Sequence, residues 1–88
     1  MSERAATIIN SLGLHARPAA QFVRLAGTFA ADVLVSKDGM SINGKSIMGV
    51  MMLGAECGSE IVIAAAGADA DQALDALSAL VAGGFGEK

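Results

Sequence analysis

Apolar residues in this chain alternate, then recur at intervals of three and four, then alternate again. That changing period admits only a mixed α and β fold. Arg4 to Asn10 reads as a first strand, with Ala6 and Ile8 on one face and Ala5, Thr7 and Ile9 on the other; Ser11 and Gly13 close it. From Ala16 the apolar positions are Pro18, Ala19, Phe22, Leu25 and Ala26, with Gln21 and Arg24 between them, which predicts an amphipathic helix ending near Gly27. Pro18 suits the first turn, where its missing N–H breaks no intrahelical bond. His15 then lies at or beside the amino-terminal cap.

Asp32 to Lys37 alternates again, and Asp38-Gly39 separates it from Met40, Ile42 and Asn43. An Asp-Gly pair between two such runs predicts a hairpin, because both turn positions need positive φ. Ile47 to Leu53 reads as a brief helix capped by Ser46. Glu60 to Ala66 is the most apolar strand and is expected at the centre of the sheet. Asp69, with Gln72 in capping-box spacing, opens the last helix. Ala73, Leu74, Leu77, Leu80 and Val81 form its buried stripe and Gly83-Gly84 ends it. The order β-α-β-β-α-β-α predicts a two-layer α+β sandwich with the helices on one face of a small sheet.

Composition narrows the function. Eighty-eight residues predict a single domain spanning 1–88. The chain is 53% hydrophobic but 3% aromatic, so the core must be aliphatic. A net charge of −3 disfavours nucleic acid, and stacking modules for single strands need aromatics that are scarce here. With one cysteine and one histidine, neither an internal disulfide nor a structural zinc site is expected, and no cofactor is implied. The amino terminus lacks the layout of a signal peptide. The longest glycine-free apolar run, Ile61 to Ala66, falls far short of the ~20 residues that span a bilayer. A cytoplasmic protein without membrane insertion is the expectation. Cys57, with no basic neighbour, reads as inert and partly buried. Asp69, Asp71 and Asp75 sit where a helix dipole favours them and form no catalytic pair.

Gly39, Gly44, Lys45 and Ser46 formally fit G-x-x-x-x-G-K-[ST], the phosphate-binding loop of nucleotide hydrolases. Asp38-Gly39 is better explained as a hairpin turn, and Met40-Ser41-Ile42 as strand. Too little chain follows for a parallel sheet, and no apolar run ends in an aspartate able to hold magnesium. The match is a decoy.

His15 is the stronger candidate. At a helix amino terminus it sits over unpaired amide donors and the positive end of the dipole, which disfavours imidazolium and suits an acquired anion. Arg17 adds a donor fork matched to phosphate, Pro18 fixes the first turn, and Gly13 lets the loop pack closely before the histidine. These are the needs of a histidine that takes up a phosphoryl group.

GLHARPAA, residues 13–20, resembles the active-site segment of the HPr family, the histidine-containing phosphocarriers of the bacterial phosphotransferase system. GKSIMGVMML, residues 44–53, is similar to that family's second signature, around its regulatory serine. The spacing of the two motifs and the element order agree, so the resemblance covers essentially the whole chain. It implies four antiparallel strands covered by three helices. It also implies that enzyme I, charged by phosphoenolpyruvate, phosphorylates His15 on Nδ1, and that the group passes on to an enzyme IIA domain. Arg17 matches the arginine that stabilises the phosphohistidine. Ser46 matches a serine modified by a dedicated ATP-dependent kinase, the HPr serine kinase/phosphorylase. Ile47, Met48 and Met51 match positions that dock enzyme I and the enzyme II domains.

The residues themselves agree with these roles. Serine is a preferred helix cap, and a phosphate at a helix start is accepted by the dipole, so Ser46 can serve both purposes. Methionines often fill cores, yet so short a helix cannot bury every apolar side chain, and some of that surface should stay exposed beside His15. The expectation is a monomeric carrier rather than a stand-alone enzyme. Two alternatives are a carrier of the nitrogen-related branch and a purely regulatory binding module acting through Ser46; the presence of both His15 and Arg17 argues against the latter.

Overall fold

The computed structural model describes residues 1–87. In chain order the elements are β1 (Ser2–Thr7), α1 (Ala16–Ala26), β2 (Asp32–Lys37), β3 (Met40–Asn43), α2 (Ile47–Met52), β4 (Glu60–Ala66) and α3 (Ala70–Ala82), followed by a 3-10 turn at Gly84–Gly86. The strands form one antiparallel sheet in the order β1-β4-β2-β3. The expected two-layer α+β sandwich is the fold observed, and the most apolar strand, β4, does lie inside the sheet.

Alternation decides which face is covered. Val33 and Val35 of β2 and Ile61, Ile63 and Ala65 of β4 point to the helices and are buried. On the other face Leu34 pairs with Ala64 and remains 37% exposed. Helix α3 lies on β1 and β4, α1 packs against α2 and α3, and α2 touches β3. Phe22, Val50, Leu74, Leu77 and Val81 carry the helices into the same apolar cluster. Burying each large aliphatic or aromatic side chain contributes about 1.5–3 kcal/mol, so this one cluster dominates the favourable side of folding.

The β2–β3 hairpin follows from its turn. Lys37 pairs with Met40, leaving Asp38 and Gly39 as a two-residue loop with φ of 50° and 83°. These left-handed values match the right-handed twist of the flanking strands, which is why Asp-Gly is selected. The same geometry disposes of the nucleotide-loop match, since Met40–Asn43 is strand. Gly44 donates to the Val33 carbonyl at 2.8 Å, and the Lys45 ammonium donates to the Phe29 carbonyl at 2.8 Å. Both groups are used to hold the sheet edge.

Two local expectations need correction. β1 spans Ser2–Thr7 rather than Arg4–Asn10. Its partner β4 starts at Glu60, opposite Thr7, so regular pairing has nowhere to continue. Ile8 keeps only irregular bonds, its amide to Ser59 O and its carbonyl from the Gly58 amide.

Asp69 does precede α3, but its side chain makes no cap hydrogen bond. Its carboxylate instead accepts from the amides of Ala30 and Ala31, each at 2.8 Å, and ties the start of β2 to α3. Those amides, led by Ala30 and helped by the charge of Lys45, hold its carboxyl below the ordinary 3.8. A carboxyl that binds its proton less tightly when folded adds stability above its unfolded pKa and loses it as pH falls through the folded one. The urea midpoint should therefore drop as pH is lowered below about 4, and Asp69→Asn should flatten that decline. An unchanged slope in the variant would contradict the assignment.

Candidate functional site

The loop before α1 is built to hold its last residue still. Asn10, 1% exposed, donates from Nδ2 to the Gly13 carbonyl at 2.7 Å, and the Gly13 amide returns a bond to Asn10 O at 3.1 Å. Gly13 has φ +67°, and a Cβ there would fall on the Ala55 carbonyl oxygen, so only glycine fits. The Leu14 amide donates to that same carbonyl at 2.9 Å and its side chain is buried. His15 follows as the N-cap of α1, with extended backbone (φ −76°, ψ −172°) and no side-chain cap bond. Its carbonyl accepts from the Ala19 amide at 3.0 Å, and Pro18 is buried in the first turn. The imidazole is thereby left for another purpose.

That ring meets a carboxylate. His15 Nε2 lies 3.0 Å from both Glu87 Oε1 and Glu87 Oε2. Asn10 Nδ2 also donates to Glu87 Oε1 at 3.0 Å. The His15 contact is the largest influence holding the Glu87 carboxyl below its ordinary 4.5, followed by the Asn10 bond and by the charges of His15 and Arg17, against partial burial. Arg17, exposed in the first turn of α1, thus brings its positive field to the same spot. The site combines an imidazole with solvent access (side chain 35% exposed), a helix amino terminus, a guanidinium and a carboxylate. It suits reversible capture of a small anion on nitrogen, because the helix end and Arg17 favour negative charge while the ring supplies a lone pair.

The other expected site residues lie on the neighbouring helix. Ser46 is the N-cap of α2 and its Oγ accepts from the Gly49 amide at 3.1 Å. Ser46→Ala should lower stability by about 1 kcal/mol, whereas Ser46→Asp, which keeps a capping oxygen, should stay close to the parent in a urea titration. Equal losses in both variants would contradict the capping role. Ile47, Met48 and Met51 are 44%, 70% and 41% exposed, and Met52 is exposed beside them, so the apolar surface anticipated on this helix is present. Since α2 packs against α1, the patch adjoins the element that carries His15 and Arg17.

Cys57 is exposed rather than partly buried, with Sγ 3.6 Å from the Ile9 carbonyl. Its loop, between α2 and β4, packs by its backbone at Ala55 and leaves the thiol outside.

Two members of the site escaped the reading of the sequence. Asn10 left a usable signal: it continues the Ala6, Ile8 face, so a polar side chain was directed into the core, where it needs partners. Glu87 left none, being 72 residues from His15.

The family model described as the PTS HPr component phosphorylation site matches residues 2–83. The phosphocarrier protein HPr of Cupriavidus necator is 51% identical over 87 residues, covering 99% of this chain and 98% of the relative. The HPr-like protein Crh of Bacillus subtilis is 49% identical, over 78% of this chain and 81% of its own length. Among solved structures, an HPr from Thermoanaerobacter tengcongensis superimposes with a TM-score of 0.96 at 44% identity, covering 100% of this chain and 99% of that one. The fold is therefore a shared feature, and the chain belongs to the HPr family, the phosphocarrier proteins of the phosphotransferase system.

Proposed function

We propose that residues 1–88 act as a single carrier domain in which His15 accepts a phosphoryl group from enzyme I on Nδ1 and passes it to an enzyme IIA protein. The observation that carries this reading is the imidazole at the amino terminus of α1, with Nε2 engaged by Glu87 and Arg17 in the same turn. A neutral ring with its proton on Nε2 has its lone pair on Nδ1. The arriving phosphoryl oxygens then meet the helix amino terminus and the guanidinium of Arg17, both suited to their charge.

The carrier needs little machinery of its own, because a phosphorus–nitrogen bond passes readily to an aligned nucleophile supplied by the partner. It is in this sense a transient covalent carrier rather than a catalyst. Ile47, Met48 and Met51 form the docking patch, and adaptable methionines suit one surface that serves two partners in turn. The carrier works as one copy, in the cytoplasm with its partners; a relative from Thermoanaerobacter tengcongensis, 45% identical, is described as a dimer. No described helix is long and apolar enough to cross a membrane.

Ser46 is the proposed target of a serine kinase. A phosphate there would sit at the start of α2, leaving the fold intact and changing the charge that approaching partners meet. The sugar branch is preferred slightly over the nitrogen branch, and the GKSIMG context around Ser46 supports its modification by such a kinase. Incubation with enzyme I and phosphoenolpyruvate tests the carrier reading. It should yield an acid-labile, base-stable phosphate that chases onto enzyme IIA, and a chain that takes up no such label would overturn it.

A further inference from the structure

The last described residues are shaped to bring one carboxylate onto the ring of His15. Gly84, Phe85 and Gly86 all have positive φ, at 64°, 58° and 74°, and so curl the chain back after α3. A left-handed conformation is unfavourable for a bulky residue such as phenylalanine and persists only where surroundings hold it. Here they do: the Phe85 side chain is 4% exposed and belongs to the main apolar cluster. The Glu87 amide closes the curl on Gly84 O at 2.9 Å. Its carboxylate is then fixed from two sides, by His15 Nε2 and by Nδ2 of the buried Asn10. Asn10 is itself pinned by its bond to Gly13 O.

A carboxylate accepts and never donates in its ionised form, so the contact requires the N–H on Nε2. In a neutral imidazole that leaves Nδ1 with the lone pair. When Nδ1 attacks, a nitrogen–phosphorus bond forms as the donor's bond to phosphorus breaks and its electron pair stays with the donor. The Nε2 proton does not move. The ring becomes cationic, and the charge appears opposite the Glu87 carboxylate.

We propose that Glu87, held in place by Asn10, is a positioning residue for His15: it keeps the ring proton on Nε2, presents Nδ1 as the acceptor, and balances the charge of the phosphorylated ring. This role rests on the carrier reading above.

The test uses the full chain, with Glu87→Ala and Glu87→Gln. Nitrogen chemical shifts of His15 report the tautomer of the neutral ring, and enzyme I with phosphoenolpyruvate reports the rate of phosphoryl acceptance. The parent should show the Nε2–H tautomer in excess. Glu87→Ala should move the ring toward a mixture and slow acceptance roughly tenfold, the low end of the loss seen when a metal-bound histidine loses the partner that orients it. Glu87→Gln keeps an accepting oxygen but no charge, so it should restore the tautomer and only part of the rate. A merely structural tail would not move the tautomer. An unchanged tautomer, or an unchanged rate, in Glu87→Ala overturns the proposal. Should the parent itself accept no label, the carrier reading falls and this role with it, a result recognisable because the parent fails as well as the variants.

Discussion

His15→Ala is expected to reduce acceptance of a phosphoryl group from enzyme I to background. Among the described residues nothing nearby can replace the imidazole, and His15 is the only histidine in the chain. Arg17 is permanently protonated and has no lone pair to offer, and Glu87 faces Nε2 as an acceptor. The fold should survive, because the His15 side chain makes no cap bond to α1 and the loop is held by Asn10, Gly13 and Leu14 instead. A thermal melt within a few degrees of the parent would confirm that chemistry, and not folding, was lost. Any label remaining on Ser46 would be separable, since an ester phosphate resists the acid that cleaves a phosphorus–nitrogen bond. Retention of acid-labile label by His15→Ala would place the acceptor elsewhere.

Phe22→Ala is the second large effect. Phe22 lies on the buried stripe of α1, 1% exposed, and is the largest side chain among those fully enclosed between the helices and the sheet. Truncation removes its transfer free energy and leaves a cavity, together costing about 3–5 kcal/mol. A chain of 88 residues has a total stability of only about 4–13 kcal/mol, so the variant should be close to unfolding. Its Tm should fall by more than about 12 °C, read by far-ultraviolet circular dichroism. Unlike His15→Ala, it should lose phosphoryl acceptance only in proportion to the fraction unfolded. A shift below about 4 °C would mean that α1 is not packed on the core as described.

The elements legible in advance were those whose cause is local. The hairpin was carried by Asp38-Gly39, whose left-handed pair needs nothing from the rest of the chain. α1 and α3 were carried by three-and-four spacing, and β4 by its apolar run between β1 and β2. Errors came where a distant partner decides. β1 ends at Thr7 because β4 begins at Glu60, a boundary invisible in residues 1–10. Capping is a local role that the sequence around Asp69 suggests, yet its carboxylate is claimed by amides at Ala30 and Ala31. The candidate site divides in the same way. His15, Arg17 and Ser46 announce themselves through their own helix starts, and Gly13 through the tight approach before His15. Glu87 could not, because only the completed fold, through the curl at Phe85, returns the tail to residue 15.

Phosphoryl capture at this site is decided at one atom, Nδ1 of His15, and can be measured there. Isotope-labelled protein, charged by enzyme I and phosphoenolpyruvate, should show phosphorus coupled to Nδ1 of His15, with Nε2 still carrying its proton beside Glu87. Phosphorus coupled to Nε2, or attached to any other residue, would contradict the account.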